Sequence, residues 1–296
     1  ETVYMRQPEG FVVKGKEDMV CLVKKSIYGL KQSPRCWNQA LHEQLVIMGF
    51  TQIASDACIY TGAIDGDEIF LAVYVDDLLL AAKSEKIIAQ TKLKFQEAFS
   101  VKDMGLLHHF LGIRVKQNND SIWIGQDSYT HAILERFGMT ECKPVNTPMD
   151  PGANLKKAKC DDKRFDPTLY QAAIGSLLYL ALHTRPDIAY AVSKLAQYCC
   201  DPTIYHWKTV KHLLRYLKGT DSYGILYTVG SNTVTVYADA DFGGDQNDRK
   251  STSGYVVMKN KGAVSWKSKK QTVTAQSTAE AEYIVLNLAA REASWI

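Results

Sequence analysis

From Ile69 to Ala82 the chain is apolar and rich in β-formers, and the run is interrupted at one place, by the adjacent acids Asp76 and Asp77. Apolar strands gain by burial, whereas neighbouring carboxylates are costly to bury unpaired. A hairpin of Ile69 to Val75 and Leu78 to Ala82, with the aspartates solvated at its tip, satisfies both demands. Such a tip is also a rigid mount for carboxylates. Two-metal phosphoryl transfer needs acids held around cations about 3.5–4 Å apart, which polarise the attacking hydroxyl and the leaving oxygen. An ordinary solvated turn is the competing reading of an Asp-Asp pair taken alone.

The surrounding periodicity predicts an α+β first part. From Val20 to about Gly49 apolar residues recur at three- and four-residue spacing, through Ile27, Leu30, Trp37, Leu41, Leu45 and Met48, with a helix start at Ser33-Pro34. Cys58 to Tyr60 reads as a strand joined to Ile69–Val75 across Gly62 to Gly66, and Ile87 to Phe99 as a helix. Phe110 to Val115 and Ser121 to Ile124 form a second predicted hairpin. The loop from Lys143 to Pro167, rich in Pro, Lys and Asp, is the expected boundary.

Helices are expected over Gln171–Leu182, Pro186–Tyr198 and Tyr205–Lys218. The third places Lys208, Lys211, Arg215 and Lys218 on one face and Val210, Leu213, Leu214 and Leu217 on the other. That basic stripe suits a phosphate backbone, and a solvated helix face explains it equally well. Beyond Gly219 the period falls to two, predicting strands over Thr233–Tyr237, Gly254–Met258 and Ala263–Trp266. Ser277-x-x-Glu280 then has the spacing of a capping box at the start of a helix.

Composition bounds the answer more loosely. With 296 residues, 46% of them apolar, the chain can bury more than one core. A net charge of +3 neither demands nor excludes a polyanionic partner. The seven cysteines are scattered and lack a C-x-x-C pair, which fits a reducing, intracellular setting better than a disulfide or zinc framework. The apolar runs are too short to span a bilayer, so no membrane partner is expected. The opening at Glu1, without an initiator Met, and the close at Ile296 inside a helical pattern lead us to expect a piece of something longer.

Tyr74-Val75-Asp76-Asp77 resembles the aromatic-x-Asp-Asp motif of reverse transcriptases, and the resemblance extends over the chain to the polymerase of copia-type long-terminal-repeat retrotransposons. It is carried by Tyr4-Met-Arg-Gln-Pro-Glu-Gly-Phe11, by Ser26-Ile-Tyr-Gly-Leu-Lys-Gln-Ser-Pro-Arg35 with Trp37, by Val101-Lys-Asp-Met-Gly105 and by Phe110-Leu-Gly-Ile113. Further on it includes Ile174-Gly-Ser-Leu-Leu-Tyr179, Thr184-Arg-Pro-Asp-Ile188, His206-Trp207 and Leu214-Arg-Tyr-Leu-Lys-Gly219. The last part resembles the following ribonuclease H domain through Tyr237-Ala-Asp-Ala-Asp241, Asp245, Arg249 to Tyr255, Ser265-Trp266-Lys267 and Ser277 to Tyr283.

The resemblance implies a partial palm over residues 1–115, a primer-gripping hairpin, linker and helical thumb over 116–228, and the first part of an α/β ribonuclease H-like domain over 229–296. Asp76 and Asp77 would be catalytic metal ligands of the polymerase, and Tyr74 and Val75 the floor under the primer terminus. Tyr28-Gly29 would pack under the incoming nucleotide and template, although a core aromatic and a helix-entry turn also account for them. Phe110, Leu111 and Gly112 would grip the primer, with Lys208, Lys211, Arg215 and Lys218 along the backbone, while Trp123 reads more simply as a packing residue.

For the ribonuclease H part, Asp239 and Glu282 would be the metal ligands, and Glu280 has the structural job of a cap. Magnesium, with manganese as its substitute, would be the cofactor. The implied partners are an RNA template, a DNA primer, RNA–DNA hybrids, deoxynucleoside triphosphates and the rest of a Pol polyprotein, in cytoplasmic particles that deliver DNA to the nucleus. The same pattern implies one more polymerase aspartate upstream of Tyr4 and later ribonuclease H acids beyond Ile296, so this chain alone is expected to be inactive. A non-catalytic nucleic-acid-binding remnant is the alternative.

Overall fold

A computed structural model describes residues 2–230 and 233–296. The chain forms two compact units, one running to Gly105 and one from Leu106 to Ile296. Seven α-helices and several antiparallel sheets are found among the described residues, the α+β mixture that the sequence predicts.

The first unit opens with β1 (Tyr4–Arg6) and β2 (Val20–Leu22), paired antiparallel with Met5 opposite Cys21. The helical spacing read from Val20 onward is therefore wrong up to Gln32. Gly29 lies at φ +95°, and α1 (Ser33–Ile47) starts only where Pro34 can sit in a first turn that needs no N–H.

After α1 come β3 (Thr51–Gln52), β4 (Ile59–Ile64), β5 (Asp67–Tyr74) and β6 (Asp77–Ala82), an antiparallel meander in sequence order, and then α2 (Glu85–Ala98). Ser84 caps α2 by accepting from the Lys86 N–H. Leu41 and Leu45 of α1 and Ile87 and Phe95 of α2 share a core with Tyr60, Ile69 and Leu71 of the sheet. Along β5, Ile69 and Leu71 are buried while Phe70 and Tyr74 are exposed, so one sheet face is covered and the other open.

The second unit begins with β7 (His109–Phe110), β8 (Ile113–Gln117) and β9 (Ser121–Gly125), followed by α3 (Asp127–Arg136). The helices α4 (Pro167–His183), α5 (Ala189–Ala196) and α6 (Ile204–Gly219) follow, with a 3₁₀ turn at Pro186–Ile188. A strand the periodicity did not suggest, β10 (Gly224–Thr228), completes a sheet ordered β10-β9-β8-β7. Gly125 and Gly224 face each other there, and any Cβ at either would strike the Trp123 ring. With the Lys116 ammonium 4.5 Å from that ring, Trp123 is a packing residue in this fold.

Residues 143–167 are not a boundary. Ile133 and Leu134, ahead of the loop, share one core with Leu177, Leu180, Leu195, Leu213 and Leu217, behind it. The loop is a strap laid over α6 and α5. Arg215 Nε donates to the Lys143 carbonyl, His212 Nε2 meets the Thr147 carbonyl, and Tyr198 Oη donates to that of Leu155. Phe165 stacks on Trp207 with ring centroids 4.5 Å apart. Composition marked the segment as a loop but could not show that helix side chains satisfy its carbonyls.

Arg185, only 1% exposed, joins the α4–α5 turn to the end of α6. Its guanidinium pairs with Asp187 and donates to the Thr220 carbonyl and hydroxyl. The last elements are β11 (Thr235–Asp241), β12 (Thr252–Lys259) and β13 (Gly262–Lys270), in that sheet order, and α7 (Thr278–Trp295). They sit in the same unit as the helices, because Trp266 Nε1 donates to the Ala181 carbonyl at 2.6 Å and Asn247 Nδ2 to Tyr198 Oη at 3.1 Å. No helix among the described residues is long and apolar enough to cross a membrane.

Candidate active-site turn and nucleic-acid-facing residues

In the register of β5 and β6, Tyr74 faces Asp77, so the loop between them is Val75-Asp76. The tip thus differs by one residue from the Asp76-Asp77 tip expected from the sequence, and Asp77 is the first residue of β6. Cross-strand partners share a sheet face, so Asp77 stands beside Tyr74 on the open face, with Asp76 next to it in the turn. Tyr74, Val75, Asp76 and Asp77 are all exposed.

Val75 has φ +54°, while Asp76 does not have positive φ. Two-residue hairpin loops normally give such a positive-φ position to glycine, asparagine or aspartate. A left-handed conformation costs a residue with a Cβ roughly 1–2 kcal/mol, and a β-branched residue tolerates it least. The turn has an outside support. Trp37, in the first turns of α1, donates its indole N–H to the Val75 carbonyl at 2.6 Å, and its ring meets Phe99 edge-on at 5.7 Å.

Two adjacent exposed carboxylates on a tight hairpin offer hard oxygen donors of the kind magnesium prefers. Elsewhere in this unit Lys86 pairs with Asp65 and Lys92 with Asp103. A cluster of three or more His, Cys, Asp or Glu side chains able to hold a metal is absent among the described residues.

Tyr28 is 86% exposed, which rules out a core aromatic. Gly29, with open space where a Cβ would stand, is required by its φ of +95° in the turn leading to α1. The β7–β8 hairpin closes through Leu111-Gly112, both at positive φ, and Tyr179 Oη of α4 donates to the Leu111 carbonyl at 2.6 Å. Beside it runs an open cleft of about 330 Å³ lined in part by His108, His109, Arg114 and Lys116, cationic or titratable side chains that the motif reading passed over. On α6, Lys208 and Lys211 are exposed, whereas Lys218 is half-buried and Arg215 is committed to the strap.

Asp239 is exposed on β11, and Asp241, two residues on, shares its sheet face. The Asp241 carboxylate lies against Gly244, where a Cβ would clash with it, and 3.9 Å from Lys194 Nζ. Ser277 Oγ accepts from the Glu280 N–H, which is the half of the expected capping box that forms, while the Glu280 carboxylate accepts from the Gln276 N–H, one residue before the cap, instead of from that of Ser277. Glu282, half-buried one turn into α7, lies on a helix that packs along β11 and β12. Asp245 is structural: burial pushes its pKa up, but the Lys270 ammonium and the Asn247 N–H together hold it below the usual carboxylate value.

The family of this tight acid-bearing hairpin on an antiparallel sheet is given by sequence comparison. Residues 1–151 match the model of the reverse transcriptase (RNA-dependent DNA polymerase) family. The chain belongs to that family. It is 38% identical over 304 residues to the Retrovirus-related Pol polyprotein from transposon TNT 1-94 of Nicotiana tabacum and 41% identical over 298 residues to that from transposon RE2 of Arabidopsis thaliana. Both matches cover this whole chain but only 23% and 20% of the relatives, so the chain spans about a fifth of their length. A putative transposon Ty5-1 protein of Saccharomyces cerevisiae is 35% identical over 287 residues, 93% of its length. This is a reverse transcriptase-like region of the kind found in retrotransposon Pol polyproteins.

Proposed function

We propose that the chain is palm, thumb and the start of the ribonuclease H domain of a copia-type RNA-directed DNA polymerase. The observation that carries this reading is the exposed Asp76-Asp77 pair on a hairpin whose tip is braced against α1. Asp76 and Asp77 would hold magnesium or manganese, which when bound activates the primer 3′-hydroxyl and neutralises charge on the triphosphate. Tyr74 and Val75 present the exposed surface beside those acids on which a primer terminus can rest. Tyr28, projecting from the turn that Gly29 permits, offers a ring for stacking against a base. Lys208 and Lys211 supply sequence-independent phosphate contacts, and the tip at Leu111-Gly112 offers backbone to the primer strand.

In the ribonuclease H part, Asp239 and Glu282 would hold the metal that directs water onto an RNA phosphodiester, with Asp241 and Glu280 kept to structural work. The setting is a Pol polyprotein acting in cytoplasmic particles, on deoxynucleoside triphosphates and RNA–DNA hybrids. The test is extension of a DNA primer on an RNA template by the Pol polyprotein carrying this sequence. Magnesium should be required, and Asp239→Asn should stop RNA degradation while sparing extension. Degradation undiminished by Asp239→Asn would refute the second assignment, and extension in excess chelator would refute the first.

A further inference from the structure

We infer that Trp37 is a positioning residue for the polymerase site, holding the carbonyl of Val75 so that the strained turn keeps the neighbouring Asp76 aimed. The inference rests on the polymerase reading above and adds to it a residue outside the acid motif. Three observations meet at one place. Val75 carries a backbone conformation that local sequence does not favour, at φ +54°. A strained turn persists only if its surroundings hold it, and the 2.6 Å bond from Trp37 Nε1 to Val75 O is such a hold. Trp37 is itself fixed, by its edge contact with Phe99 and by α1, which anchors to the sheet core through Leu41 and Leu45.

The chemistry explains why tryptophan suits the task. Indole gives one N–H donor on a rigid bicycle, so the bond fixes the carbonyl direction with little side-chain freedom left to lose. A carbonyl fixed at Val75 fixes the peptide plane joining it to Asp76, because the peptide unit is planar. Phenylalanine at position 37 keeps a ring against Phe99 and lacks the donor.

Wild type, W37F and D76N are to be compared in the Pol polyprotein by magnesium-dependent primer extension, with amide exchange measured across residues 74–78. W37F should lower kcat about tenfold with KM for the triphosphate within about twofold, the size of one lost hydrogen bond expressed in the transition state. Exchange at the Asp76 and Asp77 amides should quicken. In a V75G background the turn no longer needs bracing, so W37F should cost about twofold or less. If W37F extends primers like wild type while D76N does not, the positioning role is overturned and the polymerase reading stands. An equal W37F loss in both backgrounds would mark general weakening of the α1 packing and also overturn it. Normal extension by D76N would overturn the polymerase reading, and this inference with it.

Discussion

The sheet of the first unit carries two two-residue turns at opposite ends, each with an aspartate. The β4–β5 loop is Asp65-Gly66, with φ +54° and +88°, the residue pair that type I′ hairpins favour. The β5–β6 loop is Val75-Asp76, with the left-handed position given to a β-branched residue and the indole of Trp37 holding it from outside. One turn is what its own sequence asks for; the other is imposed. Strain of this kind clusters at functional sites, and here it lies beside two exposed acids. The β7–β8 turn at Leu111-Gly112 falls between them, with glycine at one of two positive-φ positions and Tyr179 as its brace.

The largest effect is expected from loss of a brace. Tyr179 lies in the last turns of α4, and Arg185 locks the chain just beyond them, so Arg185→Ala leaves Asp187 and Thr220 without their buried partner. A loss of about 3–5 kcal/mol is expected in denaturant unfolding of the second unit, with exchange quickening at Leu111-Gly112 and not at Val75-Asp76. Gly66→Val should cost about 1–2 kcal/mol, because it forces into the ordinary turn what the other turn already bears. Val75→Gly, by contrast, should be neutral or stabilising by up to ~1 kcal/mol, since relief of the left-handed penalty offsets the entropy of glycine.

Acid is the mildest probe. His206 Nδ1 accepts the Thr203 N–H, so its proton sits on Nε2, which meets the Lys156 carbonyl. Burial lowers its pKa from 6.5, so the unfolded chain takes up the proton first. Stability of the second unit is therefore full above pH 6.5 and falls as pH drops below it, and His206→Gln should flatten that slope in unfolding measured from pH 7.5 to 5.5.

The hairpin was legible because apolar runs flanking two acids leave them one place to go, and the Ser277–Glu280 cap because its spacing is local. β1 and β2 were not, since three-residue strands carry too few alternations to outweigh the helical spacing of Ile27, Leu30 and Trp37. The strap failed for a related reason: polar composition reports that a segment avoids regular structure, not that Arg215, His212 and Tyr198 wait beneath it. Within the candidate site, residue type pointed to Asp76 and Asp77. The strained turn at Val75 was invisible, because the side chain that bonds its carbonyl is Trp37, 38 positions away in sequence.

On the proposed reading the imposed turn, and not the ordinary one, carries metal-binding acids. Asp76→Asn and Asp65→Asn are equal changes of charge in two-residue turns of one sheet, to be compared by magnesium-dependent primer extension in the Pol polyprotein. A loss of at least about a hundredfold is expected for Asp76→Asn, beyond what outer-shell partners of a metal site contribute, and wild-type extension for Asp65→Asn. Equal rates for the two variants would contradict it.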